Sequence, residues 1–288
     1  MNTAVRLISQ VKDALGHLNP SEVREDARKP FTIQLFASSN DGFLQMEDWL
    51  VPPDQADSRR EEAFLMVRRG SDYANGTVIR ICEQGLSRGP DDFVFIRQHP
   101  NQLVTEVLER HADLRLTLAR WLAPFREPVV QGIIRDISKE NALFAIATSI
   151  PSIVPVLSIP WAVGEFASDT AFLTGNQIRM AFMLAAASDR TIGYRQQKGE
   201  IASMFAGAFG WRAIARELVG KIPFGGGVIP KAAVAYAGTY VVGASLERLY
   251  RVGYGYSASE RKEVYASALE KGKQVASTIA RGFSQKKG

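Results

Sequence analysis

From Ala142 to Gly164 the chain carries no charged residue, a run of 23 positions broken by Pro151, Pro155 and Pro160. The run is long enough for a membrane-spanning helix. Three prolines forbid one straight helix through it, because each removes a backbone donor and clashes with the preceding turn. The predicted shape is a helix ending near Ile150, a tight turn, and a second helix starting near Trp161. That hairpin is either re-entrant in a bilayer or buried in a soluble core. A mean hydropathy of −0.08 argues against a multi-span membrane protein.

A second apolar stretch runs from Ile222 to Leu246 with Lys231 as its only charge. Gly225, Gly226 and Gly227 make a turn before Pro230. Beyond it Ala235, Thr239 and Gly243 recur every four residues, which places them on one helix face. Small residues at that spacing let two helix backbones approach closely. Several polar residues sit inside this apolar half, between the two stretches: Glu165, Asp169, Asn176, Gln177, Arg179, Arg212, Arg216 and Glu217. Where buried, they must be paired or hydrogen-bonded. Asp169 and Arg179 are spaced to meet across neighbouring turns or helices.

Upstream of Pro128 the character differs. Phe31–Phe36, Ala63–Val67, Thr77–Cys82 and Asp92–Ile96 read as short strands. Turn signals separate them at Asn40-Asp41-Gly42, Asn75-Gly76 and Arg88-Gly89-Pro90. Helical patterns fall at 43–50 and 102–122, and Pro52–Glu62 reads as a solvated loop. After Pro128 helices are predicted at 129–150, 161–188, 200–220, 229–251 and 257–283. Ser257 and Glu260 have the spacing of a capping box at the start of the last one.

These patterns predict a two-domain α+β chain. Residues 1–29 form an amphipathic helix and linker, 30–128 a small α/β domain, and 129–288 an all-α, Gly/Ala-rich helical bundle. In the first helix Ala4, Ile8, Val11, Leu15 and Leu18 share a face. Its polar face is not strongly basic, which favours packing on its own domain over a partner helix or a membrane.

Charge follows the same division. Residues 1–128 carry 16 basic against 19 acidic side chains, and residues 129–288 carry 19 against 11. An excess of positive charge in the second half suits an anionic surface. Lys271, Lys273, Arg281, Lys286 and Lys287 cluster near the end and are the candidate membrane or anion contacts. Arg59-Arg60 and Arg68-Arg69 are isolated pairs without interleaved aromatics, so no nucleic-acid partner is expected. Met1–Pro20 lacks the apolar core of a signal peptide, which predicts the cytoplasmic side of a membrane.

Cys82 is the only cysteine, and His17, His99 and His111 are scattered. No disulfide, zinc framework or other metal site follows. Glu61-Glu62 and Asp91-Asp92 are adjacent pairs that do not converge on one strand face.

Residues 129–270 resemble the helical domain-of-unknown-function family 697, the YcjF-like membrane proteins often fused behind Era-like GTPase domains. The residues that carry this are Glu140-Asn141-Ala142, the proline turn 151–160, and Leu173-Thr174-Gly175-Asn176-Gln177-Ile178-Arg179-Met180. Gly207-Ala208-Phe209-Gly210-Trp211-Arg212, Ala215-Arg216-Glu217-Leu218 and the run Ile229–Tyr240 add to it. The resemblance implies membrane association and linkage to a GTPase; it brings no catalytic residue.

A P-loop needs Gly-x-x-x-x-Gly-Lys-Ser/Thr after a strand, since backbone amides and lysine hold phosphate and the hydroxyl holds Mg²⁺. Here the strand Phe31–Phe36 leads into Ala37-Ser38-Ser39-Asn40-Asp41-Gly42-Phe43-Leu44. Gly42 keeps the second glycine. Ala37 replaces the first, Phe43 the lysine and Leu44 the hydroxyl. Val67-Arg68-Arg69-Gly70 lacks the aspartate of the next GTPase signature, and Arg97-Gln98-His99-Pro100 does not match the guanine-reading one. The segment is a GTPase-like remnant or an unrelated small α/β domain.

The resulting expectation is a non-enzymatic, membrane-associated scaffold or regulatory protein. It has a nucleotide-incompetent GTPase-like head, no cofactor, and a lipid surface and unidentified protein as partners. Two alternatives stand beside it: a soluble cytoplasmic interaction protein that oligomerises through its apolar helices, and a nucleotide-binding enzyme with an unrecognised site.

Overall fold

The protein is described by a computed structural model covering residues 18–54, 56–70, 74–86, 89–149, 169–202 and 227–285. These residues form two compact units. One comprises Ser21–Gln131 with Ala185–Thr191, the other the remainder.

The first unit is mixed α/β. Pro20–Asp26 (α1) leads to Phe31–Phe36 (β1), Asn40–Leu50 (α2), Asp57–Phe64 (α3), Val67–Arg69 (β2), Thr77–Glu83 (β3) and Phe93–Phe95 (β4). Pro100–Arg110 (α4), a 3-10 turn at Ala112–Leu114 and Arg115–Trp121 (α5) follow. The sheet is wholly parallel with strand order β2-β1-β3-β4. Ile33 pairs with Val67 on one side and Ile79 on the other, and Ile81 pairs with Phe93. Phe31 to Leu35 are buried without alternation, as befits a parallel strand covered on both faces. Around them Met46, Leu50, Leu103, Val107, Leu118 and Phe125 complete one core.

Parallel strands are ordinarily joined by a dozen or more residues. Here residues 70–76 alone link β2 to β3 on opposite sides of β1. Gly76, one residue before β3, has φ +73, and a Cβ there would run into the Pro30 carbonyl oxygen. Only glycine fits.

Three expectations are corrected in this unit. The strand predicted at Ala63–Val67 is the end of α3 followed by a shorter β2. Ala63 is buried and Phe64 packs against the core, as the inner side of a helix; short apolar runs do not distinguish helix from strand. The loop predicted over Pro52–Glu62 is likewise helical from Asp57 onward. The helix predicted at 102–122 breaks at His111, whose backbone is non-helical and whose N–H closes α4 on the Val107 carbonyl.

Among the described residues four long helices follow: Ala123–Ala147 (α6), Asp169–Ala187 (α7), Val228–Val252 (α8) and Ala258–Gln285 (α9). The helix expected to begin near residue 129 starts earlier and runs through Pro128. Proline in the second turn removes only one of the early hydrogen bonds. In the second unit α8 and α9 form an antiparallel hairpin. Ala232 and Tyr236 pack with Ala276, while Val241 packs with Tyr265. A Cβ on Gly272 would meet the Ala233 carbonyl oxygen at 2.8 Å, so the two backbones nearly touch. Gly253 ends α8 in the left-handed conformation. The capping box is present in both directions: the Ser257 N–H donates to Glu260 at 2.8 Å, and the Glu260 N–H donates to Ser257 Oγ at 3.3 Å.

No helix among the described residues is long and apolar enough to cross a membrane. The proline turn 151–160, residues 203–226, Lys286, Lys287 and all but Leu18 of the first amphipathic face lie outside the described residues.

Candidate functional site

An open parallel sheet presents ligands with a crevice at the carboxyl ends of its strands, where the strand order reverses. Strand order β2-β1-β3-β4 puts that point between β1 and β3. The chain leaving β1 supplies Ala37, Ser38 and Ser39, then turns into α2. Ser39 is the N-cap, and its Oγ accepts the Gly42 N–H at 3.1 Å.

A strand–loop–helix of this shape offers exposed amides and a positive helix end to an anion. Here the protein's own carboxylate is seated on it. Glu83, the last residue of β3, accepts the Ser38 N–H at 2.9 Å and the Ser38 hydroxyl at 2.7 Å on Oε2. Arg97 donates to Glu83 Oε1 at 3.2 Å and reaches Asp41 at 3.7 Å. The Ser38 amide, then its hydroxyl, then Arg97 hold the Glu83 carboxyl below its ordinary range, against partial burial. A Cβ on Gly42 would stand 3.0 and 3.1 Å from the two Glu83 oxygens and 3.0 Å from Ala37 Cβ. Glycine therefore gives the carboxylate room beside the first turn of α2. Glu83 is 18% exposed.

The four positions expected from the degenerate P-loop part company. Ala37 and Phe43 pack against the core of the sheet. Gly42 abuts Glu83, and Leu44 is 44% exposed. Arg69 lies 5.2 Å over the Phe43 ring, makes two 2.6 Å hydrogen bonds to Glu47, and donates to Asn40 Oδ1. A side chain read from sequence as an isolated basic pair is thus part of the packing of α2.

The small-residue face of α8 is used inside its own unit. A Cβ on Gly243 would meet Ile134 of α6 and Met180 of α7. Ala235 packs beside Ala142 and Ile146. Thr239 Oγ1 donates to the Ala235 carbonyl at 2.9 Å and accepts Asn141 Nδ2 at 2.7 Å. Asn176 Nδ2 in turn donates to Asn141 Oδ1 at 2.8 Å. All three polar side chains are buried, so one amide chain ties α6, α7 and α8 together. Arg179 pairs with Glu140; the Asp169 side chain, its expected partner, lies outside the described residues.

Of the basic cluster, Lys271, Lys273 and Arg281 are described, all on α9. Lys271 and Lys273 stand two apart on α9, and helix residues at that spacing do not face each other. Lys273 is paired with Glu270 at 2.7 Å. Arg281 folds back onto the Ser277 carbonyl.

Glu83 was not marked by any sequence motif, while Ser38 and Arg97 fell in segments compared with GTPase signatures without being assigned a role. The signal was a carboxylate closing a strand, and it acquires meaning only when that strand is known to neighbour β1. No metal-ligating cluster occurs among the described residues. No family model, curated protein or solved structure matches the chain.

Proposed function

We propose that this protein is a non-enzymatic scaffold or regulatory protein acting at the cytoplasmic face of a membrane, with a GTPase-like head that binds no nucleotide. The observation that carries the reading is the Glu83 carboxylate on the Ser38 amide and hydroxyl. A phosphate brought to that loop meets a negative charge already in place. At about 4 Å and an effective dielectric of about 20, each like charge costs about 4 kcal/mol. Moving Glu83 aside instead breaks two hydrogen bonds to a charged group, roughly 1.5–3 kcal/mol each. Phe43 and Leu44 at the lysine and hydroxyl positions offer nothing in return.

The membrane half of the proposal is supported by the basic excess of residues 129–288, the two long apolar stretches and the family resemblance. No described helix is long and apolar enough to cross a membrane. Sedimentation of the full chain with vesicles tests it. Binding to phosphatidylserine-containing vesicles that weakens with salt is the expected result, since surface charge attraction is screened within about 10 Å at 0.1 M. A protein that stays in the supernatant at low salt and is monodisperse without detergent is instead a soluble interaction protein.

A further inference from the structure

Two arginines of the α/β unit hold one carboxylate, and a third stands beside them on the Arg120 carbonyl that Arg59 also binds. Arg59 comes from α3, Arg120 from α5, Arg126 from the first turn of α6, and Asp189 from the turn after α7. Arg120 Nε donates to Asp189 at 2.8 Å, and Arg59 lies 3.4 Å from its other oxygen. Arg59 and Arg126 also donate to the Arg120 carbonyl, and Arg126 Nε donates to the Ala119 carbonyl, which closes the end of α5. Three guanidiniums against one carboxylate leave two positive charges uncompensated within the group.

The donors are not exhausted. Arg59 Nε is buried with no hydrogen-bond partner among the described residues. The Arg120 guanidinium lies 4.8 Å over the Trp121 ring, which fixes its plane. Arg126 is disfavoured as a cation first by burial and then by the charge of Arg59. The Arg59, Arg120 and Asp189 side chains are 23%, 26% and 24% exposed, so a solute reaches them.

Asp189 is a second, independent sign. It has φ +53, the only positive φ at a non-glycine position among the described residues. Its N–H donates to Ala186 O and the Arg190 N–H to Ala185 O, the paired bonds of a helix end whose left-handed seat usually belongs to glycine. An aspartate bears a steric cost there, and its carboxylate is what the arginines hold.

We propose that Arg59, Arg120 and Arg126 form a phosphate-binding site in which Asp189 stands as the internal occupant. Its ligand is a phosphate group, free or on a lipid headgroup. Guanidinium forks match phosphate oxygens, and a dianion neutralises the charge that Asp189 only partly offsets. The proposal does not rest on the reading of the sheet edge.

The test uses the full chain, wild type and Asp189→Asn, in two arms. One titrates inorganic phosphate by calorimetry; the other sediments the protein with phosphatidylcholine vesicles with and without phosphatidic acid. Removing the internal carboxylate tightens binding by about tenfold or more, and adding Arg120→Gln to Asp189→Asn abolishes the gain. A gain in the phosphate arm assigns a free anion, and a gain confined to phosphatidic acid assigns a headgroup. Should Asp189→Asn fail to fold, Asp189→Gly removes the carboxylate and suits the left-handed seat. If neither variant binds more tightly than wild type in either arm, the arginines only cap α5 and hold the turn, and the proposal is overturned.

Discussion

Two glycines five residues apart on α8 have opposite surroundings. A Cβ on Gly243 would lie 2.9 Å from both Ile134 Cγ1 and Met180 Sδ, and 3.0 Å from Ile134 Cγ2. A Cβ on Gly238 would meet nothing within 4 Å. Both sit in a helix interior, where alanine is favoured over glycine by about 1 kcal/mol. Gly238→Ala should collect that gain. Gly243→Ala sets it against overpacking, which typically costs about 1–3 kcal/mol. Met180 has rotamers to yield with, but β-branched Ile134 is stiff. A net loss of about 1 kcal/mol is expected for Gly243→Ala, so the variants should differ by about 2 kcal/mol. In thermal unfolding that is a separation of several degrees, with Gly238→Ala above wild type and Gly243→Ala below it. Adding Ile134→Ala to Gly243→Ala should cost less than Ile134→Ala costs the wild type, because the new methyl fills part of the cavity. Equal stabilisation by the two alanines would show that the Gly243 face is not closed by α6 and α7, and would refute the packing assigned to this helix.

The buried amide chain and the capping box make separate predictions. Asn141→Ala strands the Asn176 amide and a Thr239 lone pair, and denaturant unfolding should show a loss of about 2–4 kcal/mol. Ser257→Ala removes the hydroxyl that accepts the Glu260 N–H and should cost about 1 kcal/mol in the same assay. The Ser257 amide, then Arg248, then the Ser257 hydroxyl hold the Glu260 carboxyl at about 2 against an ordinary 4.5. A depressed carboxylate contributes stability that is present above the ordinary value and lost as pH falls through the lowered one. The carboxyl carbon of Glu260 should therefore titrate near 2 by NMR in the wild type and higher in Ser257→Ala. An unchanged midpoint in the variant would remove the hydroxyl from the account.

What sequence alone could reveal was local. β1 announces itself by its β-branched and aromatic run, β3 by alternation, and α9 by the Ser257–Glu260 spacing; each depends on residues within a few positions of one another. α3 was misread because Ala63 and Phe64 are apolar on either reading, and the sheet edge that decides between them is far away in sequence. The Glu83 seat was hidden for the same reason: Ser38 and Glu83 are 45 positions apart, and only strand order brings them together. The small-residue face of α8 was visible as a spacing. That Thr239 joins Asn141 and Asn176 was not, since three helices must be placed before the hydrogen bonds exist. Lys271 and Lys273 are near neighbours in sequence, but a spacing of two turns them to different sides of α9, which charge counting does not show.

The central claim is that the loop after β1 is closed to phosphate by Glu83. Calorimetric titration of the full chain with GTP and with ATP, each with and without Mg²⁺ at physiological nucleotide concentration, tests it most directly. Flat heats in all four titrations are the predicted result. A micromolar isotherm that Mg²⁺ strengthens, and that Glu83→Gln leaves unchanged, would contradict it.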